Sequence, residues 1–324
     1  MKAHRALPAA SPCSGLPGQA PADAVRAARL VLSRRMRVAQ GFLAIEENCL
    51  AQIRGNEAGV VFGRDPESVH QMRVGLRRLR CAHRLFRDVI QPSAALQKEI
   101  DWLSSALSAL RDWEVLSDNT LPLTETGAPN DTGLASLRRT VEAIAKEKRE
   151  AASNLMQSAR YARLARALDA WMARLSKAAA APMGLDDGSS PDVSLKEFAD
   201  RILLREHQRV LKRGRHAADD DAQGRHRLRI AIKRARYAHE FFQSLYPSRP
   251  VKTYMAPLLN LQDLLGQLND FAVADRLLLE VASQYPEQLA YASFARGYLA
   301  SAGKQLGRKI GKAWKAFERT VPLR

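Results

Sequence analysis

Apolar residues recur every three or four positions along most of the chain, which is the spacing of one face of an α-helix. Segment 134–177 shows this spacing clearly and is rich in Ala, Leu, Arg, Glu and Lys, all strong helix formers. No segment alternates apolar and polar residues between turn signals in the manner of a half-buried strand. The pattern therefore predicts an all-α fold in which prolines separate the helices. After residue 22, prolines lie at positions 66, 92, 122, 129, 182, 191, 247, 250, 257, 286 and 322.

A linker is predicted near the middle of the chain. Segment 178–194 contains two prolines, two glycines and the turn sequence DDG. Ser194 and Glu197 have the spacing of a capping box, so a helix is expected to begin after Ser194. Segment 1–22 contains four of the 15 prolines and no continuous apolar stretch, and we predict that it is a disordered tail.

The two sides of this linker contain related sequences, which indicates an internal repeat. The segment His70–Arg80 recurs 156 positions later as His226–Arg236. A second pair of segments, 102–116 and 258–274, aligns Asp112 with Asp270. We therefore predict two helical halves within 23–321, one at about 23–177 and the other at about 195–321.

Each copy of the repeated helix has a basic stripe beside an apolar stripe, both at helical spacing. The basic stripes are His70, Arg73, Arg77, Arg80 and Arg84 in the first copy, and His226, Arg229, Lys233 and Arg236 in the second. The apolar stripes are Val69, Met72, Leu76, Leu79 and Phe86, and Leu228, Ile232, Ala235 and Phe242. Each helix is expected to bury its apolar stripe and to present the basic stripe beside it.

The charge of the chain and of its basic stripes indicates an anionic ligand. The chain has 51 Lys and Arg against 34 Asp and Glu, a net charge of +17. From Arg73 to Arg84 there are five arginines and no acid, although like charges three or four positions apart destabilise a helix. An anion is therefore expected to supply the missing countercharge. Nucleic acid, an anionic membrane surface and a polyphosphate all fit this charge.

Two further features of the sequence concern the membrane and the cellular compartment in which the protein is expected. No apolar run reaches the 18 residues or more that a membrane-spanning helix needs. The three cysteines, Cys13, Cys49 and Cys81, lie too far apart for a disulfide framework or a zinc-binding pair, so a reducing cytoplasm is expected.

Four further residues are matched across the repeat. His83 and His239 fall on the apolar side of their helices and are expected to pack in the core. Asp112 and Asp270 are expected to orient basic side chains, or alternatively to cap helices at their N-termini. Since the surrounding arginines would repel a cation, we predict no metal site and no cofactor.

Less regular basic segments lie outside the stripes, and such runs are more often a solvated helix face than a binding site. The secondary candidates among them are Arg160, Arg201, Arg205, Arg209, Lys212 and Arg308.

The sequences HQMRVGLRRLRCAHRLF with RDWEVL, and HRLRIAIKRARYAHEFF with LLGQLNDFAVA, resemble the two halves of the conserved histidine α-helical domain, called CHAD. The resemblance extends over about residues 25–320. It implies two four-helix bundles related by a pseudo-two-fold axis, with the basic helices lining a central channel. It also implies inorganic polyphosphate as the ligand. Two positions depart from the family pattern, because Trp113 replaces an aliphatic residue and the first half has no counterpart of Gly266.

The same resemblance implies the binding residues. They are His70, Arg73, Arg77, Arg78 and Arg80 in the first half, and His226, Arg229, Lys233, Arg234 and Arg236 in the second. Many relatives also carry a triphosphate-tunnel domain, which is not expected in this sequence, so catalysis by that domain is not carried over. We therefore predict binding without catalysis, in the cytoplasm and at polyphosphate granules.

The residues themselves favour the same ligand. Polyphosphate is a flexible polyanion without bases, and no aromatic residue interrupts the basic stripes as it would in a stacking surface. Arginine, which binds phosphate oxygens in a bidentate manner, outnumbers lysine in both stripes. The alternatives are a basic protein that binds nucleic acid or chromosomes, and an enzyme that uses His70 or His226 in phosphoryl transfer.

Overall fold

The computed structural model describes residues 23–63, 66–128, 131–181, 193–215 and 222–323. Within these ranges the chain forms helices and their connections, which confirms the all-α prediction. The helices are α1 (Val38–Gly55), α2 (Glu57–Phe62), α3 (Pro66–Leu85), α4 (Ala94–Val115), α5 (Leu121–Glu125), α6 (Thr132–Met156), α7 (Ala159–Ala180), α8 (Leu195–Arg215), α9 (Ala222–Phe242), α10 (Ser248–Gln284) and α11 (Leu289–Glu318). A π-helical turn, Leu116–Thr120, joins α4 to α5.

Side-chain caps set several of these helix ends. The predicted capping box at α8 is confirmed, because Ser194 N donates to Glu197 Oε2 at 3.1 Å and Glu197 N donates to Ser194 Oγ at 3.2 Å. Ser93 caps α4 in a simpler way, since its hydroxyl accepts a hydrogen bond from Leu96 N at 3.2 Å.

Three helix boundaries differ from those that the sequence pattern predicts. The proline-free segment 134–177 contains a break, because Ser158 begins a new helix by accepting from Tyr161 N. Pro257 lies inside α10 instead of ending a helix. The linker begins later than predicted, since α7 continues to Ala180. The predicted tail 1–22 and residues 182–192 of the linker lie outside the described residues.

The buried side chains form two clusters, and each cluster contains residues from both sides of the linker. The larger cluster includes Phe42, Leu103, Phe198 and Leu261, and the smaller one includes Leu137 and Leu278. The apolar stripes of α3 and α9 are fully buried in the larger cluster, as expected. The division into two sequence halves stays a prediction from the repeat.

The central helices determine where the basic stripes lie. Helix α3 packs against α1, α4 and α9, and α9 packs against α8 and α10. Helix α10 also contacts α4. Four helices, α3, α4, α9 and α10, therefore meet around the facing stripes of α3 and α9. None of the helices in the described part of the chain is both long and apolar enough to cross a membrane.

The two histidines that were expected to pack in the core are buried, with 5% of His83 and 1% of His239 exposed. The Nε2 atom of His83 lies 3.1 Å from Oε2 of Glu46, which is also buried, so the imidazole ring has a polar partner inside the core. The ring of His239 stacks on that of Tyr254, with centroids 4.1 Å apart.

Candidate anion-binding site

Arginines of α3 and basic residues of α9 meet at the contact between these helices. Arg77 of α3 interacts electrostatically with both Arg229 and Lys233 of α9, and Arg73 interacts with Lys233. His70, one turn before Arg73, interacts with both arginines of α3. We call the group that these residues form with one arginine of α4 the basic cluster. Its members are His70, Arg73, Arg77, Arg111, Arg229 and Lys233.

Several donors of the basic cluster lack an acceptor. The Nε atoms of Arg73, Arg77 and Arg229 are buried and have no hydrogen-bond partner among the described residues. His70 Nδ1 is also buried and unpaired there. A buried donor without a partner costs about 1–3 kcal/mol, and more when the group is charged. The arrangement is therefore that of an anion-binding site whose acceptors come from outside the chain.

Burial and mutual repulsion shift the titration of these groups. Burial, together with the charge of Arg77, lowers the pKa of Arg73 to about 10. Burial and the guanidinium groups of Arg229, Arg77 and Arg73 lower the pKa of Lys233 to about 6. For His70, burial and the charge of Arg111 lower the pKa to about 4. At neutral pH Arg73 is therefore charged, whereas Lys233 and His70 are neutral.

Two carboxylates share the surroundings of the basic cluster. Asp112 of α4 interacts with Arg73, and Asp270 of α10 interacts with Arg229 and Lys233. Burial raises the pKa of both carboxyl groups above the ordinary value. Since both residues lie well inside their helices, the alternative that they are N-caps is wrong. Their expected role in orienting basic side chains stays a prediction.

Arg111 of α4 was not among the residues predicted from the sequence. Glu114, which is 1% exposed, lies 3.3 Å from Arg111 Nη1 and 3.3 Å from Arg149 Nη2, and so positions Arg111 beside the cluster. From this position the positive charge of Arg111 contributes to lowering the pKa of His70, and it also favours the charged form of the Asp270 carboxyl group, against the burial that raises its pKa. The signal available in the sequence was its position directly before Asp112, which is matched across the repeat by Asp270.

Arg80 of the first basic stripe and Arg236, the last residue of the second, each have a carboxylate partner within the chain. Arg80 Nε lies 2.7 Å from Asp101 Oδ1 of α4. Arg236 Nε donates to Glu240 Oε1 at 2.6 Å, one turn further along α9. These two arginines extend the stripes beyond the basic cluster, and their charges are partly compensated within the chain.

Arg78 lies on a different side of α3. It is 5% exposed, donates to Gln52 Oε1 at 2.9 Å and Asn48 Oδ1 at 2.7 Å, and lies over the ring of Phe241. A residue adjacent to a stripe position is rotated by about 100° around the helix. Arg78 therefore fixes α3 to α1 and does not belong to the basic cluster.

Arg234 has a corresponding position on α9. Its Nε lies 3.9 Å from the buried Glu206 Oε2 of α8. Glu206 also forms ion pairs with Arg205 and Arg209 of α8, so this contact belongs to the packing of α8 against α9. We therefore leave Arg78 and Arg234 out of the site proposed below.

The other predicted residues lie apart from the cluster. His226 is exposed at the start of α9. Arg160 of α7 lies 2.7 Å from Glu99 Oε2 and stacks over the ring of Trp102. Arg205 and Arg209 pair with acidic residues on or beside α8. The remaining secondary candidates, Arg201, Lys212 and Arg308, are exposed on α8 and α11.

A comparison with protein families and a comparison with solved structures both match the chain to the CHAD domain. The CHAD domain family matches residues 44–279. The crystal structure of the CHAD domain from the plant Ricinus communis is 41% identical in sequence and has a TM-score of 0.81, covering 94% of this chain and 99% of that chain. PptA from Streptomyces chartreusis has a similar fold, with 14% identity and a TM-score of 0.58 over 88% of this chain and 99% of that chain. No curated protein matches the chain.

Proposed function

Because the chain belongs to the CHAD domain family, we propose that it binds inorganic polyphosphate through the basic cluster and does so without catalysis. The observation that carries this proposal is the set of buried, unpaired donors on α3 and α9. These donors are the Nε atoms of Arg73, Arg77 and Arg229. Phosphate oxygens are the acceptors that such guanidinium groups bind most strongly.

The distribution of the charges favours a chain of phosphates over a single ion. On α3 the stripe from His70 to Arg80 extends about 15 Å, which spans several phosphate units. A second stripe faces it from α9. Since each bound phosphate releases condensed counterions, a ligand that contacts many cations at once gains affinity with its length. We therefore expect long polyphosphate to bind far more tightly than inorganic phosphate.

The absence of catalysis is part of the proposal and has its own argument. Phosphoryl transfer normally uses a metal ion held by acidic ligands beside the phosphate. The two aspartates near the cluster, Asp112 and Asp270, each lie among cationic side chains that compete for the carboxylate. Incubation with polyphosphate and Mg²⁺ should therefore release no phosphate above the uncatalysed rate, as measured by a colorimetric phosphate assay. Release that depends on Asp112 and Asp270 would contradict this part.

A binding comparison tests the proposed ligand. Calorimetry with long polyphosphate, inorganic phosphate and a DNA duplex would be carried out at the same salt concentration. We expect tight binding of polyphosphate alone, which would also place the protein at polyphosphate granules in cells. Equal affinity for polyphosphate and DNA would contradict the proposal.

Nucleic acid binding is the second candidate, and one observation favours it. Helix α11 carries an exposed basic face with residues spaced three or four positions apart. Its members are Lys304, Arg308, Lys312 and Lys315. A duplex would bind to such an outer surface, so its affinity should fall when these residues are changed and should not depend on the basic cluster.

A further inference from the structure

Lys233 has surroundings unlike those of a surface lysine. It lies on α9 one turn after Arg229, and α3, which packs against α9, brings Arg73 and Arg77 beside it. The Nε atoms of these three arginines are buried and have no hydrogen-bond partner among the described residues. The one carboxylate among its main electrostatic neighbours is that of Asp270 on α10. No hydrogen bond or ion pair joins Lys233 to another described residue, and its side chain remains partly exposed. The amine is therefore unpaired and accessible within a group of arginines.

These surroundings make the amine nucleophilic. Burial and the three guanidinium groups hold the pKa of Lys233 at about 6, so the amine is largely unprotonated at neutral pH. An ordinary lysine has a pKa near 10.4 and is almost entirely protonated there, without a lone pair to react. A lysine beside other cations in a desolvated site is a known arrangement for an activated amine.

We infer that Lys233 is a modification site, at which acyl phosphates transfer their acyl group to the lysine amine while the neighbouring arginines bind the phosphate. This inference rests on the proposed function in one respect, because it uses the same anion-binding groups. It adds a reaction and a regulatory consequence to them.

The reaction is balanced without any further reagent. The lone pair of Lys233 Nζ attacks the acyl carbon and forms the new N–C bond. The C–O bond to phosphate breaks, and its electron pair leaves with the phosphate. The nitrogen loses one proton to the departing phosphate or to water. The products are the acylated lysine and inorganic phosphate.

The arginines favour an acyl phosphate over a neutral acyl donor for two reasons. Arg73, Arg77 and Arg229 attract the anionic reagent to the amine and hold it there. Negative charge also accumulates on the phosphate as it leaves, and fixed guanidinium groups stabilise that charge. The leaving group is the same kind of anion that the cluster is proposed to bind.

Acylation would regulate the site. The amide nitrogen of an acylated lysine cannot take up a proton, so the cluster loses one cation that a bound polyanion would otherwise recruit. The acyl group also occupies space between α9 and α3. We expect the acylated protein to bind polyphosphate several-fold more weakly than the unmodified protein.

Acetyl phosphate is the probe for the test. The full chain would be incubated with it between pH 6 and pH 9, and acetylation would be quantified by peptide mass spectrometry at Lys233 and at the exposed Lys304 and Lys312. At pH 7.5 we expect Lys233 to react at least about tenfold faster than the two exposed lysines. Its rate should level off above about pH 7, whereas theirs should keep rising. A Lys233 rate no higher than theirs, or one that rises in parallel to pH 9, would overturn the inference.

Two further experiments test the role of the arginines and the overlap with the proposed polyphosphate site. Arg77→Met should slow acetylation by acetyl phosphate more than acetylation by a neutral ester, and equal slowing would contradict guidance by the arginines. Long polyphosphate should protect Lys233. If acetylation is fast but polyphosphate neither protects Lys233 nor binds, the proposed function fails while the acylation site stands.

Discussion

Arg276 of α10 reaches Asp112 of α4, with Arg276 Nη2 3.7 Å from Asp112 Oδ2. The same carboxylate also interacts with Arg73 and Arg229, so one aspartate is shared by guanidinium groups from three helices. Asp270 has an equivalent place beside Arg229. The two aspartates therefore compensate part of the charge of the basic cluster in the absence of a ligand.

The first prediction concerns these aspartates. Asp270→Asn should lower the melting temperature by about 1–2 °C, which corresponds to about 1 kcal/mol for a chain of this length, because the Arg229 guanidinium loses a compensating charge. Polyphosphate affinity should not rise, since the carboxylate orients the side chains that bind. Thermal unfolding and calorimetry would measure both quantities. A several-fold rise in affinity at an unchanged melting temperature would show that the aspartate only repels the ligand.

The second prediction concerns the unpaired arginines. Arg77→Met should raise the stability of the ligand-free protein by about 1–3 kcal/mol, because it removes a buried unpaired donor and relieves repulsion from the guanidinium groups of Arg73 and Arg229. Methionine keeps most of the apolar stem of arginine. Denaturant unfolding at neutral pH would measure the change, and Arg166→Met on the exposed face of α7 is the matched control. A loss of stability comparable to that of a buried ion pair would mean that Arg77 has a structural role.

The sequence predicts the α3 and α9 stripes because their spacing is set by local helical geometry. Arg73, Arg77, Arg229 and Lys233 lie together in the structure, which the spacing of the stripes alone could not predict. The position of Arg111 could not be predicted, since it depends on how α4 packs beside α3. Adjacent arginines cannot be assigned to a side of the helix until the core is known, and Arg78 illustrates this.

Two helix boundaries could not be predicted from helical spacing and proline positions alone, because packing and capping determine them. Pro257 removes one backbone hydrogen bond, but Tyr254, Leu258 and Leu261 bury a continuous apolar face that keeps α10 helical. At Ser158 a serine cap ends an otherwise helical pattern, because the cap supplies the hydrogen bond that begins α7.

The third prediction is proton uptake by Lys233. In the free protein its pKa is about 6, and a bound polyanion raises that pKa by replacing repulsion with attraction. Binding at pH 8 should therefore take up close to one proton per site, provided that the bound-state pKa lies above 8. Affinity should fall as pH rises from the free-state pKa of about 6 to the pKa of the bound state, and it should level off above that. Calorimetry in buffers of different ionisation enthalpy would measure the uptake. Lys233→Arg should abolish it, and an unchanged uptake in that variant would exclude Lys233 as its source.

The fourth prediction concerns histidine at lower pH. His70 and His226 begin the two basic stripes, but only His70 belongs to the basic cluster. Its pKa of about 4 in the free protein rises when phosphates bind, so affinity should increase as pH falls through the pKa of the bound state. His70→Gln should reduce this increase between pH 6.5 and pH 5, with His226→Gln as the matched comparison. Identical pH profiles for wild type and His70→Gln would exclude His70 as the switch.

The most direct test of the central claim is the affinity of long polyphosphate for the Arg73→Met/Arg229→Met double variant, measured by calorimetry across a series of salt concentrations beside wild type and Arg166→Met. The account predicts that the double variant folds with at least wild-type stability, binds at least tenfold more weakly, and has a salt dependence reduced by about two phosphate contacts. Arg166→Met should behave as wild type. A double variant that folds and binds polyphosphate with wild-type affinity and salt dependence would contradict the account, because the ligand would then bind elsewhere on the protein.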